Sequence, residues 1–442
     1  MLIQTILCVD IGTSSLKAAL IDLNGWNLAF AREVYPRRAD GVLARDWEDA
    51  LCLCLRTIRS TIKTSVAIAA VCISGNGPTL VPLTFTDQVL PPLHWSDGRV
   101  ISLSRIKSFF LPHAAWFQTE RVSDYECVRY FFSSQEWLSF RLGANPVSIL
   151  PSIAYRPYYW DEVQCRSIGF DIEKFPPFVN MGSVIGQVST EAGYHFKLPV
   201  GIPIIAGGPD FIMALIGVGA ISEGLVCNRA GSSEGINLCS TVPIQTSELR
   251  VLPHVVDGLW NIGGLIPESG SLFDQYRDQT GQNGRDYNEL LQELIPDEPC
   301  CSSVPDIFSV PDTTHTPFAI SLGRSTLETI GFKVRAVLDR FRQHGLLLTE
   351  MRVSGGQSKN LRWNQLKANI TDCTLLIPEV NDGELTGDAA LAALALGEVS
   401  SPSEAVERMI HVKQRFVPNP CVRSLYTERY HAWCDVTSAP YP

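Results

Sequence analysis

Apolar runs of strand length, each broken by a short polar turn, set the rhythm of the first eighty residues. Residues 5–11 and 16–22 gather aliphatic and β-branched side chains on either side of Gly12-Thr13-Ser14-Ser15 and predict a two-stranded hairpin. "VAIAAVCIS" (66–74) is a continuous apolar run and predicts a buried strand. "IPIIA" (202–206) predicts another, ending at "GGPD", and "FIMALIGVGAIS" behind it is long enough for a helix. Residues 224–240, "GLVCNRAGSSEGINLCS", then repeat the opening pattern of apolar run, small polar turn and apolar run. Setting Gly12-Thr13-Ser14 against Gly231-Ser232-Ser233 gives two copies of one device half a chain apart, which points to duplicated domains. The boundary falls near residue 222, giving domains 1–221 and 222–442.

In the second half, Leu327, Ile330, Val334, Val337, Leu338 and Phe341 fall at helical spacing. "MRVSGG" ends a short strand at a glycine pair, "KNLRWNQLKANI" opens a helix, and "GDAALAALALG" is a small-residue helix able to pack closely. Residues 296–318, with five prolines, predict a surface excursion.

At 442 residues the chain is too long for one ordinary core, in keeping with two domains. A formal net charge of −10, with no Lys/Arg-rich block, excludes a nucleic-acid surface. No apolar run reaches the ~18 residues of a membrane span, and "MLIQTILCVD" lacks the basic start of a signal peptide. The thirteen cysteines contain no C-x-x-C pair and predict buried thiols in a reducing, cytoplasmic setting.

The turns carry the candidate chemistry. A glycine followed by small hydroxyl residues lets backbone N–H groups approach an anion, and Lys17 adds a positive charge. Asp10, at the end of its strand, is placed to hold Mg²⁺ through water. Asp210 follows a strand and a Gly-Gly turn in the first turn of a helix, where the helix dipole favours negative charge. "HWSDGR" sets Trp95, Asp97 and Arg99 at alternating positions, on one face if extended, and a Trp ring beside polar groups suits a sugar. Asn76 lies on the loop after the strand ending at Ser74. Glu328, on an amphipathic helix, reads as structural.

"DIGTSSLKAALID", "HWSDGR", "GGPDF", "AGSSEG", "RSTLETIGF" and "SGGQSKNLRWNQLKAN" stand in the order seen in the FGGY family of carbohydrate kinases, and the resemblance runs from Asp10 to about Gly397. It implies an α/β fold of two ribonuclease-H-like domains, of the actin and sugar-kinase type, flanking a cleft. It also implies transfer of the γ-phosphoryl group of ATP, with Mg²⁺, to a hydroxyl of a small sugar or polyol. By position, Thr13, Ser14, Ser15 and Lys17 resemble the first phosphate hairpin, and Gly231 and Ser232 the second. Gly356 and Asn360 resemble the pair that holds adenosine, and Asp210 the general base. Asn76, Trp95 and Asp97 join Asp210 as substrate residues, and any oligomer expected is a homodimer.

"PPLHWSDGR" is most similar to the pentulose, xylulokinase-like branch. Three departures stand out: a short loop at 74–81 without the histidine of that branch, Phe211 where many members carry a small polar residue, and no Pro/Gly-Glu-Arg stretch between Gly264 and Leu322. The alternatives are a degenerate nucleotide- or sugar-binding regulator and an actin-like ATPase. Retention of Asp10, Lys17 and Asp210 speaks against the first, and an actin-like ATPase has no need of a "GGPD" base beside a sugar site.

Overall fold

The computed structural model describes residues 2–38, 41–295 and 318–437. The expected excursion at 296–318 lies, but for its last residue, outside them. Packing divides the chain into two units, Met1–Gly217 with Gly383–Ile410, and Val218–Asp382 with His411–Pro442. The return of residues 383–410 to the first unit is absent from a simple division near residue 222.

The first unit is built on six strands: β1 (Ile3–Ile11), β2 (Ser15–Asp22), β3 (Asn27–Val34), β4 (Val66–Gly75), β5 (Val184–Gln187) and β6 (Pro203–Pro209). They lie in the order β3-β2-β1-β4-β6-β5. The hairpin pairs β1 with β2 antiparallel, whereas β4 runs parallel to both β1 and β6. β1 and β4 read as near-continuous apolar runs because both faces of a parallel sheet are covered. On one face lies the helix Ala44–Thr61, whose Trp47, Leu51, Cys54, Leu55 and Ile58 recur at helical spacing and are buried. They join Leu7, Val9, Ile73 and Ile204 in one core; each such buried aliphatic side chain contributes roughly 1.5–3 kcal/mol.

Elsewhere in this unit the helix Asp210–Gly217 packs against Gly383–Ala395. The small residues of the latter permit close approach: a Cβ on Gly387 would sit 2.1 Å from the Met213 carbonyl oxygen, and one on Gly217 1.7 Å from that of Gly383. The first of these helices stops at Gly217, short of the span its apolar sequence predicts.

The second unit repeats the plan with β7 (Leu225–Ala230), β8 (Glu234–Ser240), β9 (Arg250–Pro253), β10 (Trp260–Ile266), β11 (Glu350–Ser354), β12 (Leu375–Pro378) and β13 (Val412–Phe416). Their order is β9-β10-β8-β7-β11-β12-β13. Without β9, strand order and direction match the first unit: an antiparallel β7–β8–β10 meander, two parallel steps to β11 and β12, and an antiparallel edge. The helix Phe318–Gln343 buries Leu327, Ile330, Val334, Val337, Leu338 and Phe341, the stripe its spacing predicts. Glu328 on that helix is buried between Arg324 and Arg429, at 2.8 and 3.0 Å, so its role is structural.

Candidate functional site

In the first unit the hairpin register sets Asp10 directly opposite Lys17, and the Lys17 Nζ lies 3.2 Å from Asp10 Oδ2. Asp10 is buried, and its other oxygen, Oδ1, accepts no hydrogen bond. Burial pushes the Asp10 carboxyl up to about 7, with Glu384 and Asp210 adding negative field and Lys17 opposing it. Between the strands Gly12 donates its N–H to the Ser15 carbonyl at 3.0 Å, which closes the turn and leaves Thr13 and Ser14 exposed. Ser15 differs from its neighbours: it is buried, and its hydroxyl accepts from Arg32 Nε at 2.9 Å.

Asp210 opens its helix half-buried at the end of β6, and its Oδ1 accepts the Phe211 N–H at 2.6 Å. Its position beside Pro209 places it next to the end of β4, since Pro209 pairs with Gly75. Asn76 follows Gly75 and is buried. Its Oδ1 accepts from Thr79 Oγ1 at 3.2 Å and Ser134 Oγ at 3.5 Å, which turns the amide nitrogen away from both hydroxyls.

The "HWSDGR" segment is not extended. Asp97 donates its N–H to the His94 carbonyl at 2.8 Å, so Trp95 and Ser96 form a turn, and the expected common face for Trp95, Asp97 and Arg99 does not exist. Asp97 is gripped by Arg99, Nε at 2.9 Å from Oδ1 and Nη2 at 2.6 Å from Oδ2, and these bonds hold its carboxyl below the usual range. Trp95 is exposed, with 45% of its surface open. Its ring rests on Gly77, where the backbone has φ +38° and a Cβ would meet Trp95 Cβ at 2.7 Å. Its indole N–H donates to the Thr13 hydroxyl at 3.2 Å, a link between this tryptophan and the hairpin that sequence reasoning missed.

In the second unit Gly231 donates to the Ser233 carbonyl at 3.1 Å and leaves Ser232 and Ser233 exposed, as at the first turn. Gly355 passes beside this hairpin with φ +90°, where a Cβ would sit 2.6 Å from the Ala230 carbonyl oxygen; only glycine fits. Gly356 next to it is exposed, and a Cβ there would meet nothing within 4 Å. Asn360 caps the helix Leu361–Thr371, its Oδ1 accepting the Trp363 N–H at 3.0 Å while its Nδ2 donates to Asn288 at 3.0 Å. Both ends of that amide are therefore engaged within the protein.

Sequence reasoning also missed a buried polar group under the second turn. Lys367 and Glu234 are both fully buried, with Nζ at 3.2 and 3.1 Å from the two carboxylate oxygens. The available signal was the acid in "AGSSEG", together with a lysine four residues after Trp363, on the same helix face. Among the described residues no three His, Cys, Asp or Glu side chains converge as a metal cage, no disulfide forms, and no helix is long and apolar enough to cross a membrane.

The sequence and the fold both have known counterparts. A model of the FGGY family of carbohydrate kinases, C-terminal domain, matches residues 301–396. The chain is 23% identical to an autoinducer-2 kinase of Klebsiella pneumoniae over 98% of its own length and 93% of that protein. It is 22% identical to a xylulose kinase of Lactococcus lactis, covering 98% of this chain and 96% of that one. A ligand-bound xylulose kinase from Lactobacillus acidophilus shares the fold with a TM-score of 0.80 at 18% identity, over 99% of this chain and 98% of that one.

Proposed function

Since the chain belongs to the FGGY family of carbohydrate kinases, and is thereby an ATP-using phosphotransferase, we propose that it phosphorylates a five-carbon ketose or a related sugar or polyol, with Asp210 as the base. One observation carries the reading: Asp210, at a helix start, shares its unit with a buried Asp10 whose Oδ1 lacks a partner and whose carboxyl feels the Asp210 charge. A carboxylate so placed can orient a sugar hydroxyl and accept its proton late in a loose transition state. The hydroxyl oxygen bonds to the γ-phosphorus as the bond from that phosphorus to the β–γ bridging oxygen breaks, and ADP leaves with the electron pair.

The residues present fit Mg²⁺. A hard cation would answer both the unpartnered Asp10 oxygen and the negative field of Asp210 and Glu384, and Asp10 would be the residue that holds it. Bound there, the ion supplies neutralising charge for the phosphates. Thr13, Ser14 and Lys17 in one unit, and Gly231, Ser232 and Gly356 in the other, are the proposed nucleotide contacts. Ser15 has its hydroxyl on Arg32 and serves the turn's shape, and the Asn360 side chain serves the helix cap.

Of the candidate substrate residues, Asp97 is occupied by Arg99, which leaves Asn76 and Asp210 as the polar members beside the apolar Trp95 and Phe211. Sites with few hydrogen-bonding groups discriminate weakly among hydroxyl patterns. The names of the relatives, xylulose kinase and autoinducer-2 kinase, agree with a small acceptor. ADP release should be screened over pentuloses, hexuloses and polyols, with D-xylulose expected among the acceptors together with at least one other ketose or polyol. Preference for one sugar over its epimers by more than about 10⁴-fold would overturn this picture of the pocket.

A further inference from the structure

The Gly231 carbonyl of the second turn is held inward by the Gly270 N–H at 3.2 Å and by a closed ring of side chains. Gln357 Nε2 donates to the Gly231 carbonyl at 2.7 Å and to Ser269 Oγ at 2.9 Å. Ser269 Oγ donates to Glu234 Oε1 at 2.6 Å. Glu234 also receives Asn228 Nδ2 at 2.8 Å and the buried Lys367 ammonium. The Lys367 Nζ stands 5.1 Å from the centroid of the Trp363 ring, and Trp363 Nε1 donates to Gln357 Oε1 at 3.1 Å, which closes the ring.

The direction of every bond in this ring is forced. An indole N–H can only donate, so Gln357 must turn its oxygen toward Trp363 and its NH₂ toward Ser269. At the other end the Glu234 oxygens already accept from Asn228 and Lys367, and a carboxylate can only accept, so the Ser269 proton points to it and the Ser269 lone pairs face Gln357. The second hydrogen of Gln357 Nε2 is thus committed to the Gly231 carbonyl. In a planar trans peptide the carbonyl and the following N–H point in opposite directions. Drawing the Gly231 oxygen inward therefore turns the Ser232 N–H out of the turn. The Ser232 carbonyl is held the same way by the Ser269 and Ser271 N–H groups, at 3.0 and 3.1 Å, which turns out the Ser233 N–H.

We infer that Gln357, Ser269 and the Glu234–Lys367 pair are positioning residues that hold the Ser232 and Ser233 N–H groups outward as a preformed anion-binding edge for nucleotide phosphate. The inference rests on the nucleotide reading of this turn given above. It identifies groups that never touch the ligand yet set its affinity.

The test is calorimetric titration of the full chain with MgADP. Gln357→Leu removes both outgoing bonds from a half-buried position, where loss of folding is not expected. It should weaken MgADP about ten-fold, the equivalent of one to two hydrogen bonds, while the KM for sugar stays within about two-fold. Ser269→Ala, which cuts the relay to Glu234, should act in the same direction. Leu338→Ala, in the core of the same unit, controls for general loosening: it should lower Tm at least as far with MgADP affinity unchanged. A wild-type chain that does not bind MgADP would overturn the nucleotide reading itself. Wild-type binding with Gln357→Leu unaffected, or with Leu338→Ala weakening MgADP equally, would overturn the positioning role alone.

Discussion

The two hairpins share a topology and solve opposite electrostatic problems. In the first, Asp10 faces Lys17 across the strands, and one buried carboxylate oxygen has no partner. At the corresponding place in the second, Arg229 lies opposite Gly235, with its guanidinium 3.1 Å from where a Cβ on that glycine would be. The buried acid there is Glu234, and Ser269, Asn228 and Lys367 satisfy it. A duplicated fold has thus kept one acid under-coordinated, which suits chemistry, and surrounded the other, which suits rigidity. An incompletely satisfied buried charge is expensive, so its persistence is a pointer to function.

The sharpest way to break this comparison is at the proposed base. Asp210→Asn should lower kcat by ~10²–10⁴-fold and leave MgADP affinity nearly intact. A coupled assay beside calorimetry reads both, and a variant keeping more than about a tenth of the rate would deny Asp210 its role.

Next comes the satisfied acid. Lys367→Met strands Glu234 and should destabilise the protein by roughly 3–5 kcal/mol in urea unfolding, whereas Glu234→Leu with Lys367→Met should regain most of that. A single variant as stable as wild type would mean that the ion pair contributes little.

The under-coordinated acid should behave in the reverse sense. Its folded-state pKa, about 7, lies above the unfolded value near 3.8, so the native state binds the extra proton between them. The Asp10 contribution to stability therefore falls as pH rises through that window. Asp10→Asn should abolish activity and yet gain Tm relative to wild type on going from pH 5 to pH 8 without Mg²⁺. A Tm difference that stays flat with pH would show that Asp10 is not strained by its site.

The smallest effect belongs to the Trp95–Thr13 bond. Trp95→Phe keeps an aromatic wall and loses the N–H, so the KM for ATP should rise only ~2–10-fold with that for sugar little changed. Trp95→Ala should raise the KM for sugar as well. If Phe behaves as Ala does, the indole N–H plays no separate part.

Much of this was legible from the chain. Both hairpins, the buried strands at 66–75 and 203–209, the Phe318–Gln343 stripe and the close-packing Gly383–Ala395 helix follow from local periodicity and turn residues, because those signals act between neighbours in sequence. The candidate positions Asp10, Lys17 and Asp210 were legible too, since each sits close to a turn that the pattern marks. The turn in "HWSDGR" was not: alternation cannot distinguish a strand from a segment whose Asp97 bonds back to the His94 carbonyl. Nor could residues 383–410 be assigned to the first unit, because that depends on glycine-to-backbone contacts with a helix more than 160 residues earlier. What the sequence determined by itself was the repeated frame and the kinds of residue at its turns. What only the tertiary structure decided was which polar groups are already occupied: Asp97 by Arg99, Ser15 by Arg32, Asn360 by its cap, Glu234 by Lys367. Hydrogen-bond capacity is filled by whatever the fold brings within about 3 Å, and for Ser15 and Glu234 those partners lie on other strands and helices, out of reach of local pattern.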